Sequence, residues 1–251
     1  MEYDDRTSMG GAGEAFLTTH WSLIEQAQQN EDKDRALIGL LLQRYWKPVY
    51  CYLRRRGHDN EQAKDLTQGF FHEVVLNRDL IGRVDPSKGR FRTLLLHALR
   101  QYLADEKRKQ TARKRIPRDR LASLEIVEAE VLPETVLRLG PEQAFDYAWK
   151  TELLERVLSE VEDRYLTGQK ETHWYVFRDR ILTPTLEDSQ PPSLAQLCER
   201  YDIPTEVQAS NMLTTVKRHF QNVLREHVRQ TVLTGEAAEE ELREIFRFLE
   251  P

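Results

Sequence analysis

An all-α fold is predicted for this chain, and three observations predict it. Apolar residues recur at helical spacing in one segment after another, no stretch alternates as a convincing strand, and local capping patterns mark where helices begin. With 251 residues, 39% of them hydrophobic and 31% charged, the chain is too long for one small module and too polar for a single large core. Two helical domains are therefore expected. No run of about 20 apolar residues offers a membrane span. The opening MEYDDRTSMGGAGEA lacks the basic start and apolar stretch of a secretory signal, so the expected location is the cytoplasm.

After a flexible start over residues 1–17, a first helix is expected at Thr19, whose hydroxyl can cap it; it carries Trp21, Leu23, Ile24 and Ala27. A second runs through ALIGLLLQRYW and on into VYCYLRRRG. Pro48, without a backbone donor, is expected to mark a new first turn or a kink between them. The third spans about Glu61 to Leu76, burying Leu66, Phe70, Phe71, Val74 and Val75 and leaving Asp65, Gln68, His72 and Glu73 outside. A loop, RDLIGRVDPSKGR, leads to the clearest helix of all. There Phe91, Leu94, Leu95, Ala98, Leu99, Tyr102 and Leu103 fall on one stripe, with Arg90, His97, Arg100, Gln101, Lys107 and Arg108 opposite. Pro117 ends any helix in the basic tail that follows.

Residues 121–140 change sign, with four Glu against a single Arg and Pro133 breaking the run; they read as an acidic linker between domains. Pro141 suits the first turn of a long amphipathic helix carrying Phe145, Ala148, Trp149, Leu153, Leu154, Val157, Leu158 and Val161 toward Gly168. A shorter helix, THWYVFRDRIL, is expected to stop at Pro184. Ser193 with Gln196, and Thr205 with Gln208, then satisfy the S/T-x-x-E/Q capping pattern on either side of the turn Tyr201-Asp202-Ile203-Pro204. A short helix, a tight turn and a longer helix make a helix-turn-helix. On its second helix Leu213, Val216, Phe220, Val223 and Leu224 face inward, while Asn211, Thr214, Thr215, Arg218, Asn222, Arg225 and Arg229 face out. The acidic end after Gly235 reads as a solvated helix end, with an intramolecular brake over the basic surface as the alternative.

Charge distribution narrows the function. The net charge is −5, which argues against indiscriminate coating of nucleic acid. Yet Arg83 to Arg120 holds thirteen Lys and Arg against four acids, a local net of +9. One segment is built to meet phosphate. Cys51 and Cys198 have no Cys or His at metal-ligand spacing, so buried reduced thiols are expected, with no metal and no cofactor.

The motifs DLTQGFF (Asp65 to Phe71), DPSKGRFRTLLLHALRQYLADEKRK (Asp85 to Lys109) and the final helix-turn-helix, preceded by TTHWSLI (Thr18 to Ile24) and RYWKPVYCYLRRRG, together resemble an extracytoplasmic-function sigma factor of bacterial RNA polymerase. They stand in that family's order from about Thr18 to Val232. The resemblance implies a sigma region 2-like domain over 18–120 that binds core polymerase and opens the minus-ten element. It implies a connector over 121–140, a region 4-like domain over 141–235 with its helix-turn-helix at 193–230, and an acidic tail over 236–251.

The resemblance also assigns residues. Asp65, Gln68 and His72 would face the basic coiled coil of the largest polymerase subunit, where a carboxylate and an amide can pair with Arg and Lys. The loop from Val84 to Gly89 would hold a flipped base of the non-template strand. Arg90, Arg92, His97, Arg100, Gln101 and Arg108 would lie near that strand, Arg on phosphate or stacked on bases and Gln101 at a base edge. Gln208, Asn211, Thr215 and Arg218 would enter the major groove of the minus-thirty-five element, with Lys217 and Arg225 at its backbone. The implied partners are core RNA polymerase and promoter DNA, with an anti-sigma factor as a candidate regulator.

This chain departs from the family pattern in four places. Gln62-Ala63-Lys64 stands where acids usually precede the DLTQ aspartate, Leu94 stands for a common Trp, Gln101 stands for a common Asn, and the recognition helix is less basic than usual. The promoter sequence is therefore not inherited. Two other readings use the same residues: a free-standing helix-turn-helix regulator, and a sigma-fold adaptor that does not itself recognise promoters. An enzyme is not expected, since there is no Gly-rich phosphate loop, His-Glu-x-x-His or nucleophile elbow. Neither a membrane nor a small-molecule substrate is expected.

Overall fold

A computed structural model describes residues 31–77, 90–112, 132–229 and 235–249. The expected helix at Thr19, the loop from Val84 to Gly89 and the basic tail around Pro117 lie outside the described residues. Every element within them is helical, as the apolar periodicity predicts.

Helix α1, Glu31–Arg55, passes through Pro48 without a new start. Proline there removes one ladder bond, yet its ring is buried beside Val49, which is fully buried. Gly57, at φ +91°, makes the turn that a side chain would strain. Helix α2, Asn60–Phe70, starts where Asp59 accepts from Gln62 N at 2.8 Å and continues as a π-helical segment, Phe71–Asn77. Phe70, Phe71 and Val74 are buried as expected, while Leu66 is only half-buried. Helix α3, Phe91–Ala112, buries Phe91, Leu95, Ala98, Leu99 and Tyr102. It lies close to α2 because Gly69 permits it: a Cβ at Gly69 would fall 2.4 Å from Tyr102 Oη.

The end of the acidic segment is folded rather than linker-like. Helix α4, Glu134–Leu137, sits there as a single turn, with Leu132 and Val136 buried. Helix α5, Pro141–Thr167, begins with Pro141 in its first turn and Gly140 at the cap, whose N–H donates to Gln143 Oε1 at 3.0 Å. It runs antiparallel to α1: Lys47 Nζ lies 2.9 Å from Glu152 Oε1, and further along α1 the Arg55 Nε donates to Leu139 O at 2.7 Å. Helix α6, Glu171–Phe177, passes through a π-helical segment, Arg178–Leu182, into α7, Thr183–Glu187. The expected stop at Pro184 is thus corrected: the helical path runs on from the π-helical segment through Pro184 to Glu187, at the cost of the one backbone donor that proline lacks.

Helices α8, Leu194–Tyr201, and α9, Glu206–Arg229, form the helix-turn-helix, and α10, Gly235–Leu249, closes the chain. Leu41, Tyr45, Phe70, Leu95, Val136, Trp149, Val157, Trp174, Val216 and Ile245 belong to one continuous core. Both halves of the chain, before and after the acidic segment, contribute to it. A second, small core of Val176, Leu197, Ile203 and Ala209 holds α8 against α6 and α9.

The reading of the C-terminal end as a solvated helix is overturned. Ala238, Leu242 and Ile245 enter the main core and Glu241 is buried among charged partners. Burying Leu242 and Ile245 contributes about 1.5–3 kcal/mol each, against about 0–1 kcal/mol for an exposed ion pair, so the apolar stripe fixes α10 in place.

Candidate nucleic-acid interface

The helix-turn-helix is built by local signals that the sequence displays. Ser193 Oγ accepts from Gln196 N at 3.2 Å and Gln196 Oε1 accepts from Ser193 N at 2.8 Å, a reciprocal box that fixes the first turn of α8. Asp202, left-handed at φ 51°, ends α8, and Thr205 Oγ1 accepts from Gln208 N at 3.2 Å to start α9. The chain then has no freedom to shift the register of α9.

Gln208, Asn211, Thr215, Arg218 and Asn222 are exposed and share one stripe of α9, away from buried Ala209, Val216 and Val223. Thr215 Oγ1 donates to Asn211 O at 2.7 Å. Lys217 is exposed but sits about 100° round the helix from Arg218, on a flank that suits contact with a phosphate backbone. Arg225 is half-buried and donates to Asn222 Oδ1 at 3.2 Å.

Asp179 ties the end of α8 to the π-helical segment Arg178–Leu182. Tyr201, Arg200 and Arg178 all donate to this carboxylate, and the Tyr201 and Tyr175 rings stack with centroids 5.9 Å apart. Nothing in the sequence around Asp179 advertises this role, because its partners on α8, Arg200 and Tyr201, lie 21 and 22 residues away.

On α2, Asp65 is exposed and Gln68 half-buried, and His72 is exposed on the π-helical segment. The structure thus brings the three proposed polymerase contacts to one side of one helix. Thr67, between Asp65 and Gln68, turns inward and donates to Ala63 O at 2.7 Å.

The residues assigned to the minus-ten strand divide into two groups. His97, Arg100, Gln101 and Arg108 are exposed along α3. The Gln101 amide nitrogen lies 3.0 Å from His97 Nε2, Arg100 pairs with Glu142 at 2.8 Å, and Arg108 lies 3.7 Å from Asp105. Arg90 and Arg92 differ: their side chains are only 18% and 11% exposed. The expectation that Arg90 stands on the open face is corrected by what covers it.

Arg90 approaches Glu240 at 3.0 Å, Glu241 at 2.8 Å and Glu244 at 2.9 Å, all on α10. Arg92 meets Glu241 and Glu244 at 2.9 Å, pairs with Asp146 on α5, and lays its guanidinium 4.7 Å from the Trp149 ring centroid. Arg92 Nε and Glu241 Oε1 are close without hydrogen-bond alignment, so that contact is coulombic. Burial pushes the Glu241 carboxyl up despite both guanidiniums, whereas Arg90 and Arg92 outweigh a larger desolvation effect at Glu244 and hold it down.

Sequence reasoning missed these acids. The signal for them was the apolar spacing of Ala238, Leu242 and Ile245, which puts Glu241 on the docked side of α10. Beside Arg92 a groove of about 310 Å³ opens between α3 and α5, and Glu142 and Asp146 on its rim make it unfavourable for phosphate.

Among the described residues no helix is long and apolar enough to cross a membrane, and no group of His, Cys, Asp and Glu could hold a metal ion. Comparison with protein-family models, with curated proteins and with solved structures finds no match for this chain.

Proposed function

We propose that this protein is a sigma-type initiation factor that binds core RNA polymerase through α2 and directs it to promoters. The observation that carries the reading is the capped helix-turn-helix of α8 and α9, whose stripe of Gln208, Asn211, Thr215 and Arg218 is exposed among the described residues. Amide, hydroxyl and guanidinium groups on one helix face suit base edges in a major groove.

Two further features support it. Asp65 and His72 are exposed on α2 and its π-helical continuation, and His97, Arg100, Gln101 and Arg108 line the outer side of α3. In this reading residues 18–120 hold polymerase and the melted strand, residues 141–235 dock on duplex, and residues 121–140 connect them, within the cytoplasm. The protein catalyses no reaction and needs no cofactor.

The covered state of Arg90 and Arg92 favours a second reading, a sigma-fold adaptor that binds polymerase but no promoter. Transcription in vitro with purified core polymerase and a promoter library separates the two. Promoter-specific transcripts that require this chain establish the first reading. Stable binding to polymerase without such transcripts establishes the adaptor, and failure to bind polymerase removes both.

A further inference from the structure

Helix α10 has two stripes that meet the rest of the protein in different ways. Ala238, Leu242 and Ile245 anchor it in the core, while Glu240, Glu241 and Glu244 occupy the donors of Arg90 and Arg92. The occupied place has the chemistry of an anion site. Arg90 immediately precedes α3, so the acids also lie against the positive end of that helix. A nucleic-acid phosphate would use the same guanidinium donors.

We propose that α10 is an intramolecular clamp whose carboxylates stand in for phosphates on Arg90 and Arg92, and that single-stranded nucleic acid must displace it to reach them. The inference rests on the sigma reading for the identity of the displaced face. It concerns a regulation that the reading itself does not require.

The energetics suit a releasable contact. Glu241 is removed from water, and that desolvation offsets much of its attraction to the two guanidiniums. Glu240 and Glu244 remain partly exposed, at 63% and 34%, and their pairs are screened by salt. A strand that brings several phosphates at once gains counterion release that the three carboxylates cannot match. Because α10 packs on α9 and holds Arg92 of α3 through Glu241 and Glu244, its release is felt at both proposed nucleic-acid faces.

The test uses a fluorescently labelled single-stranded DNA oligonucleotide and anisotropy at fixed salt. Three proteins are compared: the full chain, the double variant E240Q/E244Q, and a chain ending at Thr234. The double variant keeps Glu241 and the apolar anchor, so it guards against a truncated chain that fails to fold. If the clamp leaves the site open about one-tenth of the time, the clamp-free chain binds about tenfold more tightly and the double variant falls between. Adding R90A/R92A removes the gain. In the full chain, hydrogen exchange over 235–249 speeds up when the oligonucleotide binds. Equal, measurable affinity in all three proteins, with unchanged exchange over 235–249, overturns the clamp and leaves the sigma reading intact. Absence of binding by every form overturns both.

Discussion

The Tyr201 hydroxyl donates to Asp179 Oδ2 at 2.5 Å and joins the end of α8 to the π-helical segment Arg178–Leu182. Arg200 donates to the same oxygen at 2.7 Å, and Arg178 donates to the other at 2.9 Å. One carboxylate thus sets how the first helix of the helix-turn-helix lies against its support.

This contact predicts a pH dependence. Desolvation pushes the Asp179 carboxyl up, but hydrogen bonds from Tyr201, Arg178 and Arg200 outweigh it and hold the group below the usual carboxylate range. A depressed acid contributes stability above its unfolded pKa, about 4, and loses it as pH falls through the lower folded value. The melting temperature of the wild-type chain should therefore fall more steeply than that of Asp179→Asn between about pH 5 and about pH 3. Parallel curves would mean that the carboxylate contributes nothing. Tyr201→Phe should cost about 1 kcal/mol.

The shared core predicts cooperative unfolding. Trp149 is 1% exposed and packs against α1 and beneath Arg92. Trp149→Ala should destabilise the protein by about 3–5 kcal/mol, with loss felt in both halves. Circular dichroism and tryptophan fluorescence should report one coincident transition in the wild-type chain. Two transitions, only one of them shifted by the substitution, would show that the halves fold separately.

Exposure of Asp65 makes charge reversal a clean test of polymerase binding. Asp65→Arg should leave the folding stability within about 0.5 kcal/mol of wild type, yet abolish copurification with core polymerase. Loss of several kcal/mol of affinity would mark a pair desolvated at the interface, against about 0–1 kcal/mol for an exposed one. Undiminished binding would place the interface away from α2.

What the sequence revealed followed the range of the forces involved. The buried stripe of α3 and the capping residues of α8 and α9 were legible because both depend on neighbours within one or two turns. Pro184 misled because the helical path from α6 runs on through it by way of a π-helical segment, which no residue near Pro184 signals. The three consecutive glutamates of α10 outweighed the spacing of Ala238, Leu242 and Ile245, and Arg90 and Arg92, which pair with Glu240, Glu241 and Glu244, lie about 150 residues away. Residues 132–140 read as a linker by charge, whereas Leu132 and Val136 are held by a core assembled from distant helices.

Division of labour between α3 and α9 is the last expectation, and it separates an initiation factor from a simple DNA-binding protein. Gln101 is exposed on α3 and Arg218 on α9; in the proposed reading the first meets the melted strand and the second meets duplex. Gln101→Ala should impair promoter opening, read by permanganate footprinting on supercoiled DNA, with little effect on duplex binding in gel shifts. Arg218→Ala should do the reverse and weaken duplex binding by about 1–3 kcal/mol, with altered preference at one base position. A loss that is equal across sequences, with the salt slope smaller by about one, would put Arg218 on phosphate instead. Arg100→Ala should act like Gln101→Ala but less strongly, because Arg100 is already paired with Glu142 and must leave that partner to meet the strand. If Gln101→Ala and Arg218→Ala weaken both assays equally, the two helices do not divide opening from docking, and the mechanism proposed for this chain fails.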